Sequence, residues 1–324
     1  MQYARLGQTD LVVSQICFGT WQAGGDWGKI DSEQAGAAVR RALELGINFF
    51  DTAHGYGWGR SERLLGEALA PELRARRDDV VIATKGGLRI KDGELRRDCS
   101  PEWLREGIDR SLGELGTDHV DIYQLHWPDP ETPFEETAGA LEEFVQQGKA
   151  RYVGVSNFTP QQMAAFQRTR RIDTLQPPYH IFRREIEREA LPYCREHGMG
   201  VLVYSPLAHG LLTGKVEEDT EFAEDDWRRG SEVFRGEEFR RNLSIVRELD
   251  RYAGQRGWTV AQLAVAWALS APGVDVAIVG ARNPGQIEGT APAADIDFSA
   301  KDRQEVDEII EGAVPVGGPS PETV

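Results

Sequence analysis

Gly46-Ile-Asn-Phe-Phe-Asp51-Thr-Ala-His-Gly-Tyr56-Gly-Trp-Gly-Arg-Ser-Glu-Arg-Leu-Leu-Gly66 compresses one structural repeat into a short stretch. The apolar run Ile47 to Asp51 reads as a strand buried on both faces, because it does not alternate with polar residues. It stops on an acid. Glycines at 55, 57 and 59 allow a sharp reversal, and Leu64 and Leu65 then sit in a stretch with helical spacing. Strand, glycine-rich turn and helix is the unit of an α/β fold.

The same unit recurs outward in both directions. Ile16 to Gly19, Val80 to Thr84, Val120 to Gln124, Ala150 to Val155, Asp173 to Leu175, Gly200 to Tyr204 and Asp275 to Gly280 are further buried-strand runs, making eight with the first. Helix starts lie between them. Asp31 with Gln34 predicts a capping box, Ser100 precedes Pro101 at a first helical position, and Thr159-Pro-Gln-Gln162 combines both signals. Ala35, Ala38, Val39, Ala42 and Leu43 share one face of the first helix, with Arg40, Arg41 and Glu44 opposite.

Eight strand and helix units with right-handed crossovers close into a (β/α)8 TIM barrel. Arg5-Leu-Gly and Leu11-Val-Val predict an N-terminal β-hairpin ahead of it. An open, doubly wound sheet is the competing architecture. It ordinarily carries G-x-G-x-x-G after its first strand, whereas Phe18-Gly-Thr-Trp-Gln-Ala-Gly24 lacks that spacing. The expected organisation is one barrel domain over residues 1–313 with a flexible tail over 314–324, rich in glycine and proline. Residues 205–242, after the seventh strand, predict a long functional loop.

Composition narrows the function. The chain has 324 residues, 37 basic and 53 acidic, for a formal charge of −16. That balance disfavours nonspecific binding to nucleic acid or anionic membranes, so an anionic ligand needs a local site. Cysteines 17, 99 and 194 are odd in number and far apart, which argues against a disulfide framework or a metal cluster and for a reducing cytoplasm. No basic-then-apolar leader opens the sequence, and no window approaches the roughly 18 apolar residues of a membrane span.

In a barrel of this kind the chemistry gathers at the carboxyl ends of the strands. Those ends read Asp51, Lys85, His126, Asn157, Gln176, Tyr204 and Arg282. Taken singly, each reads as a solvated turn residue or a satisfied core histidine; their common position is what distinguishes them. A tyrosine is a weak acid, with a reference pKa of about 10. Lys85 beside Tyr56 would lower that value, Asp51 would keep Lys85 charged, and His126 would orient a carbonyl oxygen. Such a set protonates an alkoxide formed by hydride transfer. Hydride must come from a nicotinamide, since no side chain supplies it. Ser156, Asn157 and Gln176 can grip a carboxamide, and Tyr204 can stack on a ring. Tyr204 to Lys215 offers small residues and a lysine for phosphates, and Arg282 can pair with an adenosine 2′-phosphate.

These motifs resemble the aldo-keto reductase superfamily over nearly the whole chain: Gly7-Gln-Thr-Asp-Leu11, Phe18-Gly-Thr-Trp21, Asp51-Thr-Ala through Tyr56-Gly, Ser61-Glu and Leu64-Leu-Gly66, Ala83-Thr-Lys85, Leu125-His126, Gly154-Val-Ser-Asn157, Gln176, Ser205-Pro-Leu207 and Gly280-Ala-Arg282. The wording from Pro206 to Lys215 is similar to bacterial members near the general stress and inositol-catabolism-linked reductases and to potassium-channel β subunits. The resemblance implies a catalytic tetrad on Asp51, Tyr56, Lys85 and His126. It further implies a cofactor seat built from Gly19, Thr20, Trp21, Asp51, Ser156, Asn157, Gln176, Tyr204, Ser205, Leu207, Gly210, Leu212, Lys215, Gly280, Ala281, Arg282 and Gln286. NADP(H) is the expected cofactor and NAD(H) the second candidate. At the adenosine end, where many relatives carry an arginine followed by Glu-Asn, this sequence has Gln286 and Gly289-Thr290.

Trp21, Trp58 and Trp127 are the expected substrate wall, with His54 beside Trp58 at the entrance. An aromatic wall suits a flat or partly apolar carbonyl compound, and sugar faces also stack on tryptophan. The expected activity is reduction of an aldehyde or ketone. Two other classes share some of these residues: a slow-turnover, cofactor-binding redox sensor, and a lyase or aldolase using Lys85 as a Schiff base.

Overall fold

The computed structural model describes residues 1–319. A hairpin of β1 (Tyr3–Arg5) and β2 (Val12–Ser14) precedes β3 (Ile16–Gly19). Then follow β4 (Phe49–Asp51), β5 (Val81–Gly86), β6 (Leu88–Lys91), β7 (Glu94–Arg97), β8 (Val120–Leu125), β9 (Ala150–Ser156), β10 (Thr174–Gln176), β11 (Gly200–Val203) and β12 (Val276–Gly280). Strands β3, β4, β5, β8, β9, β10, β11 and β12 pair in parallel and close on themselves as a barrel surrounded by helices, a (β/α)8 TIM barrel. All eight runs expected from the sequence are in it.

The barrel interior is filled by Cys17, Phe49, Val81, Ile122, Leu202 and Val276, and Leu6, Leu11 and Val13 from the hairpin region plug it at the end where the strands begin. A larger apolar layer lies between strands and helices. The helix Ser32–Glu44 buries Ala35, Ala38, Val39 and Ala42, as its periodicity predicts. Asp31 accepts from the Glu33 and Gln34 amides, one half of the expected capping box. Thr159 and Gln162 form the full reciprocal box. Ser100 caps the helix Pro101–Leu115. Gly66 is where two helices touch, since a Cβ there would stand 2.3 Å from the Leu115 carbonyl oxygen.

Three features differ from expectation. Strands β6 and β7 form an antiparallel hairpin that the strand pattern missed, turning at Asp92-Gly93 with positive φ of 55° and 83°. Asp-Gly is a strong hairpin signal, and it was present in the sequence. The long connection after β11 ends at residue 235, because Gly236 opens a helix to Gly254 whose Phe239, Leu243, Val246 and Leu249 pack inward. The tail is not free from residue 314. Val314 exchanges two hydrogen bonds with the Asn242 side chain, and Val316 is buried with its amide on the Phe182 carbonyl. The rest of the expected flexible tail, 320–324, lies outside the described residues.

Candidate active site

Strand ends β4, β5 and β8, with the turn after β4, bring four ionisable groups together. Lys85 Nζ lies 2.5 Å from Asp51 Oδ1 and donates to the Thr52 carbonyl at 2.9 Å and to Tyr56 Oη at 3.2 Å. The His126 ring meets the Tyr56 ring edge to face, with centroids 5.5 Å apart. Tyr56 reaches this position because its turn folds back against the loop after β3. Gly57 adopts φ 65° and approaches Gly24 so closely that a Cβ would stand 2.3 Å from the Gly24 carbonyl oxygen.

Burial sets the charges. Desolvation alone would lower the Lys85 ammonium, but Asp51 and Tyr56 together outweigh it and hold it above its ordinary range. Burial pushes the Tyr56 phenol up, with Lys85 opposing only in part. Lys85 alone would lower the phenol, the direction expected from the sequence; desolvation reverses it. Burial, reinforced by Lys85, pushes His126 well below the usual histidine range, so its imidazole is neutral. Its Nδ1 has no hydrogen-bond partner.

The amide set lies beside this quartet. Gln176 Nε2 donates to Asp51 Oδ2 at 2.8 Å and to Gln124 Oε1 at 3.2 Å. Asn157 Nδ2 donates to the His126 carbonyl and to Ser156 Oγ, while Asn157 Oδ1 accepts from Tyr204 Oη at 2.9 Å. Asn157 holds φ 63° and Ser205 φ 58°, left-handed conformations that cost free energy and cluster at functional sites.

A cavity of about 900 Å³ opens over these groups. Gly19, Thr20, Trp21, Asp51, Ser156, Asn157, Gln176, Tyr204, Ser205, Leu207, Gly210, Lys215, Gly280, Arg282 and Gln286 line it, as do Tyr56, His126 and Trp127. Leu212 and Ala281 do not; both are buried in the apolar layer behind their loops. Trp58 does not line it either. It is exposed at the surface, with its ring edge-on to His54. His54 is neither exposed nor at the entrance but buried against Glu62.

The sequence reading missed the apolar wall of Leu88 and Leu95, from the unrecognised hairpin, and the strap over the cavity. In that strap Trp27 bridges to Asp226, the Trp227 amide donates to the Asp26 carbonyl, and Arg228 pairs with Asp226 at 2.6 Å. Arg282 donates to the Trp27 carbonyl at 2.5 Å and lies 3.9 Å from Asp226. The density of tryptophans and arginines around residues 21–27 and 226–229 was the available signal.

The three cysteines are free and buried. Among the described residues no cluster of metal-ligating side chains occurs, and no helix is long and apolar enough to cross a membrane.

Known proteins resemble this chain in sequence and fold. The model of the Aldo/keto reductase family matches residues 15–311. The aldo-keto reductase YhdN of Bacillus subtilis is 40% identical over 98% of this chain and 96% of its own length. An NADH-specific methylglyoxal reductase of Escherichia coli is 33% identical over 93% of this chain and 96% of its own. The glycerol dehydrogenase AKR11B4 from Gluconobacter oxydans superposes with a TM-score of 0.88, at 37% identity and 98% coverage of both chains. This chain belongs to the aldo/keto reductase family and is an oxidoreductase.

Proposed function

We propose that this protein reduces an aldehyde or ketone to an alcohol with NADPH, using Tyr56 as the proton donor. The observation that carries the reading is the Tyr56 hydroxyl, 3.2 Å from a lysine held charged by Asp51 and open to a cavity large enough for a dinucleotide and a small carbonyl compound. The residues present fit that cofactor. Amide and hydroxyl groups of Ser156, Asn157 and Gln176 stand at the catalytic end with Tyr204 beside them, and Lys215 and Arg282 line the same cavity.

Bound there, a nicotinamide supplies the hydride. The chain supplies the rest. Neutral His126 donates a hydrogen bond to the carbonyl oxygen and orients it towards Tyr56. The phenol, protonated at neutral pH as any tyrosine is and held so more firmly by burial, gives its proton to the developing alkoxide. Lys85 then faces a phenolate at hydrogen-bond distance, and Asp51 keeps that ammonium fixed. Trp21, Trp127, Leu88 and Leu95 exclude water from the carbonyl side. NADP(H) is favoured over NAD(H) by Arg282, whose guanidinium can turn from the Trp27 carbonyl to a 2′-phosphate. A Schiff base on Lys85 finds no support, because its amine is buried, charged and held by three acceptors.

The test is isotopic. Incubation with NADPH deuterated at nicotinamide C4 and a panel of small aldehydes should place deuterium on the carbinol carbon of the product. Cofactor binding with no label transferred to any member of the panel would point to the redox-sensor alternative.

A further inference from the structure

Two buried polar side chains stand behind the Tyr56 turn and take no part in the chemistry above. Glu62, in the first turn of the helix Arg60–Ala68, has no exposed surface. Its Oε1 accepts from Thr84 Oγ1 at 2.5 Å. Its Oε2 has no hydrogen-bond partner and lies 3.4 Å from His54 Nδ1, which is also unpartnered. His54 is itself only 8% exposed. A buried carboxyl group with half its acceptors unmet is costly, and unpaired buried polar atoms in a folded protein call for an explanation.

Of the surrounding groups, the imidazole nitrogen stands 3.4 Å from that oxygen, and the buried Tyr123 hydroxyl also lacks a partner. Lys85 follows Thr84 on β5, but its ammonium is committed to Asp51, Thr52 and Tyr56. Arg63, on the same helix as Glu62, reaches outward to Glu114, which packs against Gly59. Tyr123 is a phenol pushed up by burial and then by the Glu62 charge, and His126, beyond Gly55, is neutral.

The His54 backbone ties the same region together. Its amide donates to the Lys85 carbonyl at 3.1 Å and its carbonyl accepts from the Gly59 amide at 2.9 Å. Between these ties run Gly57, Trp58 and Gly59 with φ of 65°, 54° and 93°. A left-handed conformation at a tryptophan is strained. A turn that carries such strain needs anchors, and Tyr56 sits inside it.

We infer that His54 is a positioning residue for Tyr56: its Nδ1–H, set on buried Glu62, clamps the strained turn so that the phenol stays within hydrogen-bond reach of Lys85. The inference rests on Tyr56 being the proton donor. A tie of this kind acts on the rate of proton transfer and leaves the cofactor seat alone, because neither His54 nor Glu62 lines the cavity.

The test has two arms. In the wild-type protein labelled with ¹⁵N-histidine, the His54 Nδ1 resonance should read as protonated. In steady-state kinetics, His54→Leu should lower kcat by about tenfold with KM for NADPH held within about twofold, the pattern of a displaced proton donor. His54→Asn, whose amide nitrogen can stand where Nδ1 stands, should recover most of that loss. An unprotonated Nδ1, a wild-type kcat in His54→Leu, or an Asn variant no better than Leu would overturn the clamp. If the Leu variant does not fold, the spectrum and the Asn variant decide. If the wild type reduces no carbonyl compound with NADPH, the reductase reading fails, and the nitrogen spectrum still decides whether the clamp exists.

Discussion

Among single residues, the proposed reduction depends on a protonated phenol beside a charged amine. Burial raises Tyr56 and Lys85 holds it down only in part. A raised acid keeps its proton to higher pH, so carbonyl reduction should stay level from about pH 6 to 9, while alcohol oxidation, which needs the phenolate, should climb with pH. Lys85→Met removes the one group that lowers the phenol. The rising limb of oxidation should then move to higher pH, as well as dropping in height by about 10²-fold to 10⁴-fold. Rate profiles of both directions, for wild type and variant, check the sign. A limb that moves to lower pH would mean Lys85 does not act on Tyr56. The residue types at these positions were readable from strand-end spacing, but the direction of the Tyr56 shift was not. It depends on how much water the fold removes, which no local motif states.

At the scale of elements, the eight barrel strands were legible because parallel strands buried on both faces read as continuous apolar runs. The hairpin of β6 and β7 was not, since Leu-Arg-Ile-Lys and Glu-Leu-Arg-Arg alternate and carry charge, and only their Asp-Gly turn marks them. That omission hid Leu88 and Leu95. One polar residue at a strand start makes a separate prediction. Asp275 accepts from the Val201 amide at 2.8 Å, yet burial raises its carboxyl to about 6. Its pKa is higher in the folded state, so ionisation costs stability. The cost is absent below about pH 4, grows as pH rises to about 6 and is complete above that. Asp275→Asn keeps an acceptor for Val201 and should raise Tm at pH 7 to 8 while leaving it unchanged near pH 4. Thermal unfolding at both pH values checks it; a gain at pH 4 alone would reverse the assignment.

At the scale of the whole molecule, a chain with a formal charge of −16 gathers Lys215, Arg228 and Arg282 around one cavity, as an anionic ligand requires. Loops after β3, β11 and β12 close over it through Trp27, Asp226, Arg228 and Arg282. The sequence showed that a long loop followed β11. It did not show which loop it would clasp, because that pairing joins segments about two hundred residues apart through tertiary contacts. The proposed function requires that this cavity seat the cofactor independently of the proton donor at its floor. Calorimetric titration with NADP⁺, beside turnover of a good aldehyde substrate, tests both halves in the wild type and Tyr56→Phe. Kd values within about threefold of each other are expected, with a kcat lower by about 10²-fold or more in the variant. Equal turnover in the two proteins would contradict it.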